Sequence, residues 1–276
     1  MFTISVDPVA FTIGSIEVRW YGVIIAIAAV VVILWMVRQI DIRKSSLPAR
    51  PDIVIAPVGI ISGMIGAKLV HVLEKLDYYI HNPADILSGG GFGIWGAILG
   101  STLGIWIYLR LSRKDKNQHF GFFADLAAPG IMLAQAIGRI GCTLNGCCHG
   151  KPAPDWLPWT IKYSADYPPP SGYAVEDPSF LAKALYPTQP AEIVFGLIVF
   201  GILLKLRSRP QPIEGALFMV YLAMYSAWRL GLGFFRTAEV YFVSGLLSQA
   251  QIISVVVLVV SIALLIYMRR FRFTKH

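Results

Sequence analysis

Two arginines near the end of an apolar stretch could bind an anion. Arg229 and Arg236 are seven residues apart, so a helix would bring them to one face about 10 Å apart along its axis, with Tyr225 one turn before Arg229. Two guanidiniums on one face repel each other unless an anion or acid lies between them, and Arg suits bidentate phosphate recognition. In an apolar chain, that phosphate would belong to a phospholipid head group. The alternative is a pair of structural salt bridges to Glu192 or Asp125.

Further ionisable residues lie inside or beside apolar stretches. A charge in the middle of a membrane costs at least about 2.5–3.5 kcal/mol on insertion scales, so each one is a candidate functional residue. Besides Arg229, these residues are Lys68, His71, Asp125, Arg139, Glu192 and Arg236. Asp125, Glu192 and Arg236 lie near the ends of apolar stretches and could instead extend to the interface.

A second polar face leads into a segment rich in glycine and cysteine. Gln135 and Arg139 are one helical turn apart, and residues 138–150 follow them. The glycines of this segment predict that the helix breaks and that the backbone approaches another group closely. The segment holds the three cysteines of the chain, Cys142, Cys147 and Cys148.

The three cysteines permit several interpretations. Their spacing is not of the C-x₂-C type and a second ligand pair is missing, so we predict no metal site, although His149 is adjacent. A redox pair or a reactive thiol is possible on an oxidising side of a membrane. The thiols could also pack as small apolar side chains, since free Cys is commonly buried.

The composition indicates where such residues would lie. The chain has 276 residues, of which 56% are hydrophobic and 14% are charged, and its mean hydropathy is positive. A soluble domain has about a quarter charged residues. This composition excludes a disordered chain and argues against an ordinary cytosolic enzyme.

Seven stretches approach the roughly 20 apolar residues that a membrane-spanning helix needs. They are Trp20–Val37, Ile53–Leu76, Gly91–Leu111, Phe122–Gly141, Glu192–Leu206, Ala216–Phe235 and Leu246–Met268. We therefore predict an all-α, multi-pass membrane protein with one integral-membrane domain over residues 1–276. Met1–Val18 lacks Lys and Arg, and the first apolar run is long enough to span, which predicts that there is no cleavable signal peptide.

Basic residues concentrate in alternate connections. Arg38–Arg50, Arg110–His119, Lys205–Glu214 and the C-terminal tail hold 15 of the 24 Lys and Arg residues, whereas Asp77–Gly90 holds none. The positive-inside rule predicts that the N-terminus is outside and the C-terminus is cytoplasmic. The odd number of predicted spans agrees with this orientation, because it puts the two termini on opposite sides of the membrane. The net charge of +8 is then explained by topology, so we predict no nucleic acid partner.

One outer connection, residues 151–189, is long and rich in Pro and aromatic residues. Loops of this length are usually functional or disordered. Its Trp156, Trp159, Tyr163, Tyr167 and Tyr173 suit a membrane–water interface. We expect either an ordered cap on the helices or an extracytoplasmic head that handles a substrate arriving from outside.

Small residues recur at helical spacing in two of the predicted spans. They are Gly59, Gly63 and Gly66 in the second span and Gly96, Gly100 and Gly104 in the third. Such stripes let helices approach closely in lipid, so we assign them to packing. The chain shows no internal repeat, which argues against an inverted-repeat transporter.

Several segments resemble one family. Asp125–Gly130, then Gln135–Gly141, then Asn145–Gly146 resemble the signature segment of the prolipoprotein diacylglyceryl transferases. Other segments resemble motifs of that family in the same order: Arg19–Gly22, Tyr186–Gln189 with Glu192, Tyr225–Arg229 with Phe234–Arg236, and Gln251–Ser254. The resemblance covers nearly the whole chain and implies seven spans with the N-terminus outside.

The resemblance implies a reaction. The family moves the diacylglyceryl group of phosphatidylglycerol to the thiol of the lipobox cysteine in a prolipoprotein and releases glycerol phosphate. This implies an enzyme of the bacterial inner membrane whose active site faces the extracytoplasmic leaflet, and we predict no cofactor. The implied catalytic residues are Arg139 and Arg229, with His71 a candidate base. The implied substrate-binding residues are Tyr21, Lys68, Asp125, Gln135, Asn145, Gly146, Gln189, Glu192, Tyr225 and Arg236.

The sequence departs from the family pattern at several places. Trp95 stands at the place of the family's third-helix His and cannot take a proton. Cys142 and Cys147 stand where the signature has Asn and Glu, Gly233 where a sixth-helix Glu occurs, and Lys68 where Arg is usual. Lys68 keeps the charge but loses the bidentate fork.

The departures leave alternatives open. A divergent transferase could use another base, with His71 or His149 the candidates. The chain could be a paralogue with a different acceptor or lipid, or could bind or move anionic phospholipid without turnover. A third class is a membrane thiol-redox or metal protein that uses the three cysteines.

Overall fold

A computed structural model describes the backbone of most of the chain. The described residues are 2–13, 16–42, 54–83, 86, 93–111, 120–164, 183–208, 213–237, 241–243 and 247–273. Tyr167 and Tyr173 of the predicted head lie outside these ranges. The head over 151–189 and the single domain therefore stay predictions.

The described chain is mostly helical. The helices are α1 (Trp20–Ile42), α2 (Ile55–Glu74), α3 (Leu76–His81), α4 (Ile94–Leu111), α5 (Phe120–Leu144), α6 (Thr188–Arg207), α7 (Ala216–Leu232) and α8 (Gln249–Phe273). Each of the seven predicted spans overlaps one helix, and α3 is a short additional helix of six residues. Long apolar runs form helices in a membrane because a helix satisfies its backbone hydrogen bonds within the segment, and Pro129 inside α5 is a breaker of the kind that membrane helices tolerate.

Four of these helices are long and apolar enough to cross a membrane. The candidate spans are Trp20–Ile40, Phe120–Leu144, Thr188–Arg207 and Gln249–Arg270. Three further apolar helices are shorter, over Pro57–Leu73, Gly96–Leu111 and Ala216–Leu232. The chain is thus a helical membrane protein, while seven spans and their orientation stay predictions.

Short strands, which the sequence did not predict, pair parts of the chain outside the helices. Strands β1 (Phe2–Ile4) and β4 (Ile161–Tyr163) are parallel, β2 (Val9–Ile13) and β3 (Ile16–Arg19) form an antiparallel pair, and β5 (Tyr241–Val243) pairs antiparallel with β6 (Leu247–Ser248). Ile161, Tyr163 and Leu185 are buried in a small core against Ile4. The backbone groups of these connections are satisfied by pairing, as buried N–H and C=O groups must be.

The described residues form two compact units. One unit contains the N-terminal part of α1, helices α5 to α8 and the strands. The other contains the rest of α1 and helices α2 to α4.

Within the second unit, glycines of α2 and α4 face each other. A Cβ added to Gly66 would lie against Gly96 O and 2.8 Å from Gly100 Cα, and one added to Gly59 would lie 2.8 Å from Ile105 Cδ1. Larger side chains would hold these helices apart. The predicted packing role of the glycine stripes is confirmed for these positions.

Candidate functional site

One buried carboxylate joins two of the predicted arginines. The Oε2 atom of Glu192 lies 2.9 Å from Nε of Arg139 and 3.9 Å from a terminal guanidinium nitrogen of Arg236. The side chain of Glu192 is only 4% exposed, against 12% for Arg139 and 14% for Arg236. These three residues, predicted from separate parts of the sequence, meet at one place.

Close packing of α5 and α6 aligns Glu192 with Arg139. A Cβ added to Gly196 of α6 would lie 2.9 Å from Cβ of Ala136 and 3.2 Å from Cε of Met132, both on α5. The two helices therefore touch at this glycine. Glu192 is one turn before Gly196 and Arg139 is three residues after Ala136, so both side chains lie at the same level of the helix pair.

Arg236 reaches the site by a route that the sequence analysis did not predict. The predicted span continued to Phe235 and put Arg229 and Arg236 on one helical face, but α7 ends at Leu232. Arg236 instead forms a β-bridge with Gly150, and Lys151 N donates to Phe235 O over 2.8 Å. The expectation of a common helical face is therefore wrong, although the two arginines still belong to the same cluster.

Arg229 has no carboxylate oxygen within 4.0 Å among the described residues, and its buried Nε has no hydrogen-bond partner there. Its charge is close enough to interact with Arg236, Tyr225 and Glu192. The neighbouring Trp228 stacks on Phe195 with ring centroids 4.3 Å apart, which fixes this part of α7 against α6. The predicted pair of salt bridges is therefore realised for Arg236 but not for Arg229.

The segment after α5 folds back on itself as its glycines predicted. Cys147 N donates to Cys142 O over 3.2 Å, and Asn145 N donates to Gly141 O over 2.9 Å. Gly146 has φ +66° and Cys148 has φ +62°, in the left-handed region that a residue with a Cβ rarely adopts. This turn brings the cysteines that follow it back beside Cys142.

The three sulfur atoms form one cluster beside Arg139. All three Sγ atoms lie within 4.8 Å of one another, and a terminal nitrogen of Arg139 donates to Sγ of Cys142 over 3.6 Å. Hydrogen bonds from the other two thiols lower the pKa of the Cys148 thiol well below its ordinary value, against the effect of burial, and the charges of Arg236 and Arg139 act in the same direction. The pKa of the Cys147 thiol is raised well above its ordinary value by its hydrogen bonds to Cys142 and Cys148 and by burial, so the negative charge of the free cluster is favoured at Cys148.

Residues at the start of α6 hold this turn in place. Gln189 Nε2 donates to Cys147 O over 3.0 Å and to the Tyr163 hydroxyl over 3.1 Å. That hydroxyl donates to Thr143 O over 3.1 Å, and Thr188 Oγ1 donates to Cys148 O over 3.3 Å. Gln189, a predicted site residue, therefore acts here as a support for the cysteine segment.

The structure places Tyr21, Asn145, Gly146 and Tyr225 beside the cysteines or Arg229, and Gln135 beside Tyr221 of α7. Tyr21 lies beside the thiols and Arg139, and its Cα is 3.5 Å from a Cβ built on Gly141. Tyr225 is buried on α7 close to Arg229. Asn145 is buried next to Gly146, with its Oδ1 lacking a hydrogen-bond partner among the described residues, and Gln135 lies beside the Tyr221 hydroxyl.

Asp125 lies at the other end of α5, fourteen residues before Arg139 and thus about 21 Å along the axis. Its Oδ2 accepts from Gly215 N and its Oδ1 from Phe218 N, both over 2.8 Å. It therefore caps the start of α7, where a carboxylate complements the helix dipole. The structure does not bring Asp125 to the arginines.

Lys68 and His71 belong to the other unit. Nζ of Lys68 lies 5.5 Å from the centroid of the Tyr79 ring, and the His71 ring meets the same tyrosine edge-on at 6.0 Å. His71 is 7% exposed. Their predicted roles as phosphate ligand and base stay predictions.

Sequence reasoning missed three contributors to the site. The sequence analysis described Tyr163 as an interface aromatic and included Thr188 and Trp228 only within family-like segments. It did not predict that these three residues support the site. Tyr163 is fully buried, and only its pairing in β4 with β1 accounts for its position. No local pattern in the sequence signals such a role, because it depends on contacts between distant segments.

Comparisons with known proteins identify the family of the chain. The family model of prolipoprotein diacylglyceryl transferase matches residues 8–267. The phosphatidylglycerol–prolipoprotein diacylglyceryl transferase of Dehalococcoides mccartyi is 39% identical over 270 residues, covering 98% of this chain and 96% of that protein. The enzyme of that name from Symbiobacterium thermophilum is 33% identical over 271 residues, with 96% and 94% covered. The chain belongs to the prolipoprotein diacylglyceryl transferase family.

Proposed function

We propose that this protein transfers the diacylglyceryl group of phosphatidylglycerol to a cysteine thiol of a prolipoprotein and releases glycerol phosphate. The observation that carries the proposal is an excess of positive charge in a site built from apolar helices. Among the described residues, the guanidiniums of Arg139, Arg229 and Arg236 interact with one carboxylate, that of Glu192. The cluster therefore has a formal charge of about +2, which is costly in an apolar site unless an anion is bound.

The charge of the leaving group matches this excess. A phosphate diester carries one negative charge, and the monoester that leaves carries about −1.5 to −2 near neutral pH. Charge therefore develops on the phosphate as the ester C–O bond breaks. Cations held in place before the reaction stabilise that charge more in the transition state than in the bound substrate, which lowers the barrier.

The arginines have different environments and hence different roles. Arg139 is oriented by its 2.9 Å contact with Glu192 and donates to a sulfur of the cysteine cluster. Arg229 has no carboxylate partner within the described chain and is the guanidinium best placed to bind phosphate directly. Arg236 shares Glu192 at the longer distance of 3.9 Å and completes the positive site.

The location of the reaction follows from the loop charges. Basic residues concentrate in alternate connections, which favours an extracytoplasmic N-terminus. Residues 142–150, at the end of α5 and in the connection that follows it, and the turn that follows α7 would then lie at the outer leaflet of the bacterial inner membrane. A prolipoprotein that presents its lipobox cysteine from outside would meet the cluster there, beside the chain that follows Gly150.

The test is a transfer assay with purified protein in lipid. The protein is incubated with phosphatidylglycerol labelled in the diacylglyceryl group and a peptide that contains a lipobox cysteine. We expect labelled peptide and one released glycerol phosphate for each peptide modified. Neither product would appear if the protein only bound or moved the lipid.

Two variants connect the assay to the arginines. Arg139→Ala and Arg229→Ala should each abolish most of the transfer. Arg269→Ala is the matched control, because Arg269 is an exposed residue at the far end of α8 and should leave transfer unchanged. Normal turnover in both site variants would refute the phosphate role.

A further inference from the structure

The three cysteines are arranged as one ligand set, although their spacing in the sequence is irregular. Their Sγ atoms lie within 4.8 Å of one another. Three sulfurs of a tetrahedral zinc site are about 3.8 Å apart, since the Zn–S bonds are about 2.3 Å long. Small side-chain movements would therefore place all three on one ion. Among the described residues this is the one group of three or more His, Cys, Asp or Glu with ligand atoms gathered in this way.

The absence of a second ligand pair argued against zinc in the sequence. A structural zinc site needs four protein ligands, but a catalytic zinc site has three and keeps the fourth position for water or substrate. Cys142 is buried whereas Cys147 and Cys148 are only partly buried, so the cluster is nearest to the surface on the side of the last two cysteines. Among the described residues three ligands are gathered at this place, which is the number of protein ligands in a catalytic zinc site.

The surroundings of the sulfurs suit a thiolate-bound ion. Three thiolates and one Zn²⁺ have a net charge of −1, which lowers the excess of about +2 in the arginine cluster to about +1, and Arg139 lies against this charge with a terminal nitrogen 3.6 Å from Cys142 Sγ. Hydrogen bonds from Gln189 and Thr188 to the carbonyls of Cys147 and Cys148 hold the loop. Such outer contacts fix the orientation of metal ligands.

We propose that Cys142, Cys147 and Cys148 bind one zinc ion as three thiolates and leave its fourth position open for the thiol of the acceptor cysteine. The role in transfer rests on the proposed function. The acceptor thiol binds zinc as a thiolate and its proton passes to solvent. A sulfur electron pair then forms the C–S bond of the thioether, the C–O bond to phosphate breaks, and its electron pair leaves with glycerol phosphate beside Arg139 and Arg229.

The proposed zinc ion would activate the sulfur atom of the acceptor cysteine for attack. A thiolate, not a thiol, is the nucleophile, and zinc lowers the pKa of a bound protic ligand. Glu192, the carboxylate at the centre of the site, is engaged with Arg139 and Arg236. The cysteine cluster lies against Arg139, so an acceptor sulfur on the ion would be beside the phosphate site.

The first test measures metal content. The full chain is purified through a tag that binds no metal, dialysed against a weak chelator and analysed for metals by mass spectrometry. We expect about one zinc per chain, and its loss in Cys142→Ser, Cys147→Ser and Cys148→Ser. Thr143→Ser is the matched control in the same segment and should retain zinc. Folding of each variant is checked by its thermal transition.

The second test asks whether the fourth position is open. Zinc is replaced by cobalt, whose visible bands report the ligands of a tetrahedral site. A lipobox peptide with cysteine should change these bands and one with serine should not. His149→Asn should retain the metal, because the ring Nδ1 of His149 lies 3.0 Å from Gly150 O and is assigned no bond to the ion.

The outcomes separate this inference from the proposed function. Full transfer activity in protein without zinc, or in a folded variant with all three cysteines replaced by alanine, would overturn the proposed binding of the acceptor thiol to zinc and leave the transferase intact. A disulfide between two of the cysteines, or copper in place of zinc, would also overturn it. Stoichiometric zinc in a protein that makes no labelled peptide would instead remove the transferase function.

Discussion

Glu192→Gln tests whether one carboxylate holds the arginine cluster together. At an effective dielectric constant of about 20, unit charges interact by about 6 kcal/mol at the 2.9 Å separation from Arg139 and about 4 kcal/mol at the 3.9 Å separation from Arg236. Desolvation offsets most of this attraction in the native protein. Removing one member of a buried pair leaves uncompensated charge and costs about 3–5 kcal/mol. We expect the free energy of unfolding to fall by that amount.

The environment of Arg236 sharpens this prediction. In the Glu192→Gln background, Arg139 and Arg236 repel each other without an acid between them. Arg236→Gln should therefore destabilise the parent protein but recover part of the lost stability in the Glu192→Gln variant. Such a change of sign is a coupling that independent contributions cannot produce.

Denaturant titration in mixed micelles measures these differences. Glu17→Gln is the matched control, because Glu17 pairs with Arg19 at 3.4 Å but its side chain is 53% exposed. An exposed pair contributes about 0–1 kcal/mol. Equal losses for Glu17→Gln and Glu192→Gln, or additive effects of Glu192→Gln and Arg236→Gln, would refute the reasoning.

Three further predictions follow from the described contacts. Arg229→Ala should lower kcat/KM about 10²–10³-fold, as expected for the loss of one donor that stabilises the transition state. The melting temperature should change little, because Arg229 has no carboxylate within 4.0 Å among the described residues. A large drop in the melting temperature would contradict this reasoning. Asp125→Ala should cost about 1–2 kcal/mol of stability by removing the cap of α7, while turnover per folded molecule, measured in the transfer assay, stays normal. Gly100→Val should separate α2 from α4, because Gly66 Cα lies 2.9 Å from an added Cβ, and should lower the melting temperature more than Gly22→Val, where the added Cβ meets no atom within 4 Å.

The amino-acid sequence determined the class of the protein and predicted the residues that meet around Glu192. The low fraction of charged residues and the long apolar runs predict a helical membrane protein. In lipid every backbone N–H and C=O group must be hydrogen-bonded within the protein, and a helix achieves this within one segment. The cost of burying charge identifies Arg139, Glu192, Arg229 and Arg236 without any structure. Motif order along the chain indicates the family, which the comparisons confirm.

The tertiary structure alone decided how those residues combine. The ends of helices depend on contacts between segments, so the sequence did not predict that α7 stops at Leu232 or that Arg236 pairs with Gly150. It also did not predict that Asp125 caps another helix while Glu192 joins two arginines. The cysteines show the reason most clearly. Their spacing argues against a metal site, but a left-handed turn at Gly146 and support from α6 gather the three sulfurs in space, where distance and not sequence separation determines what they can bind.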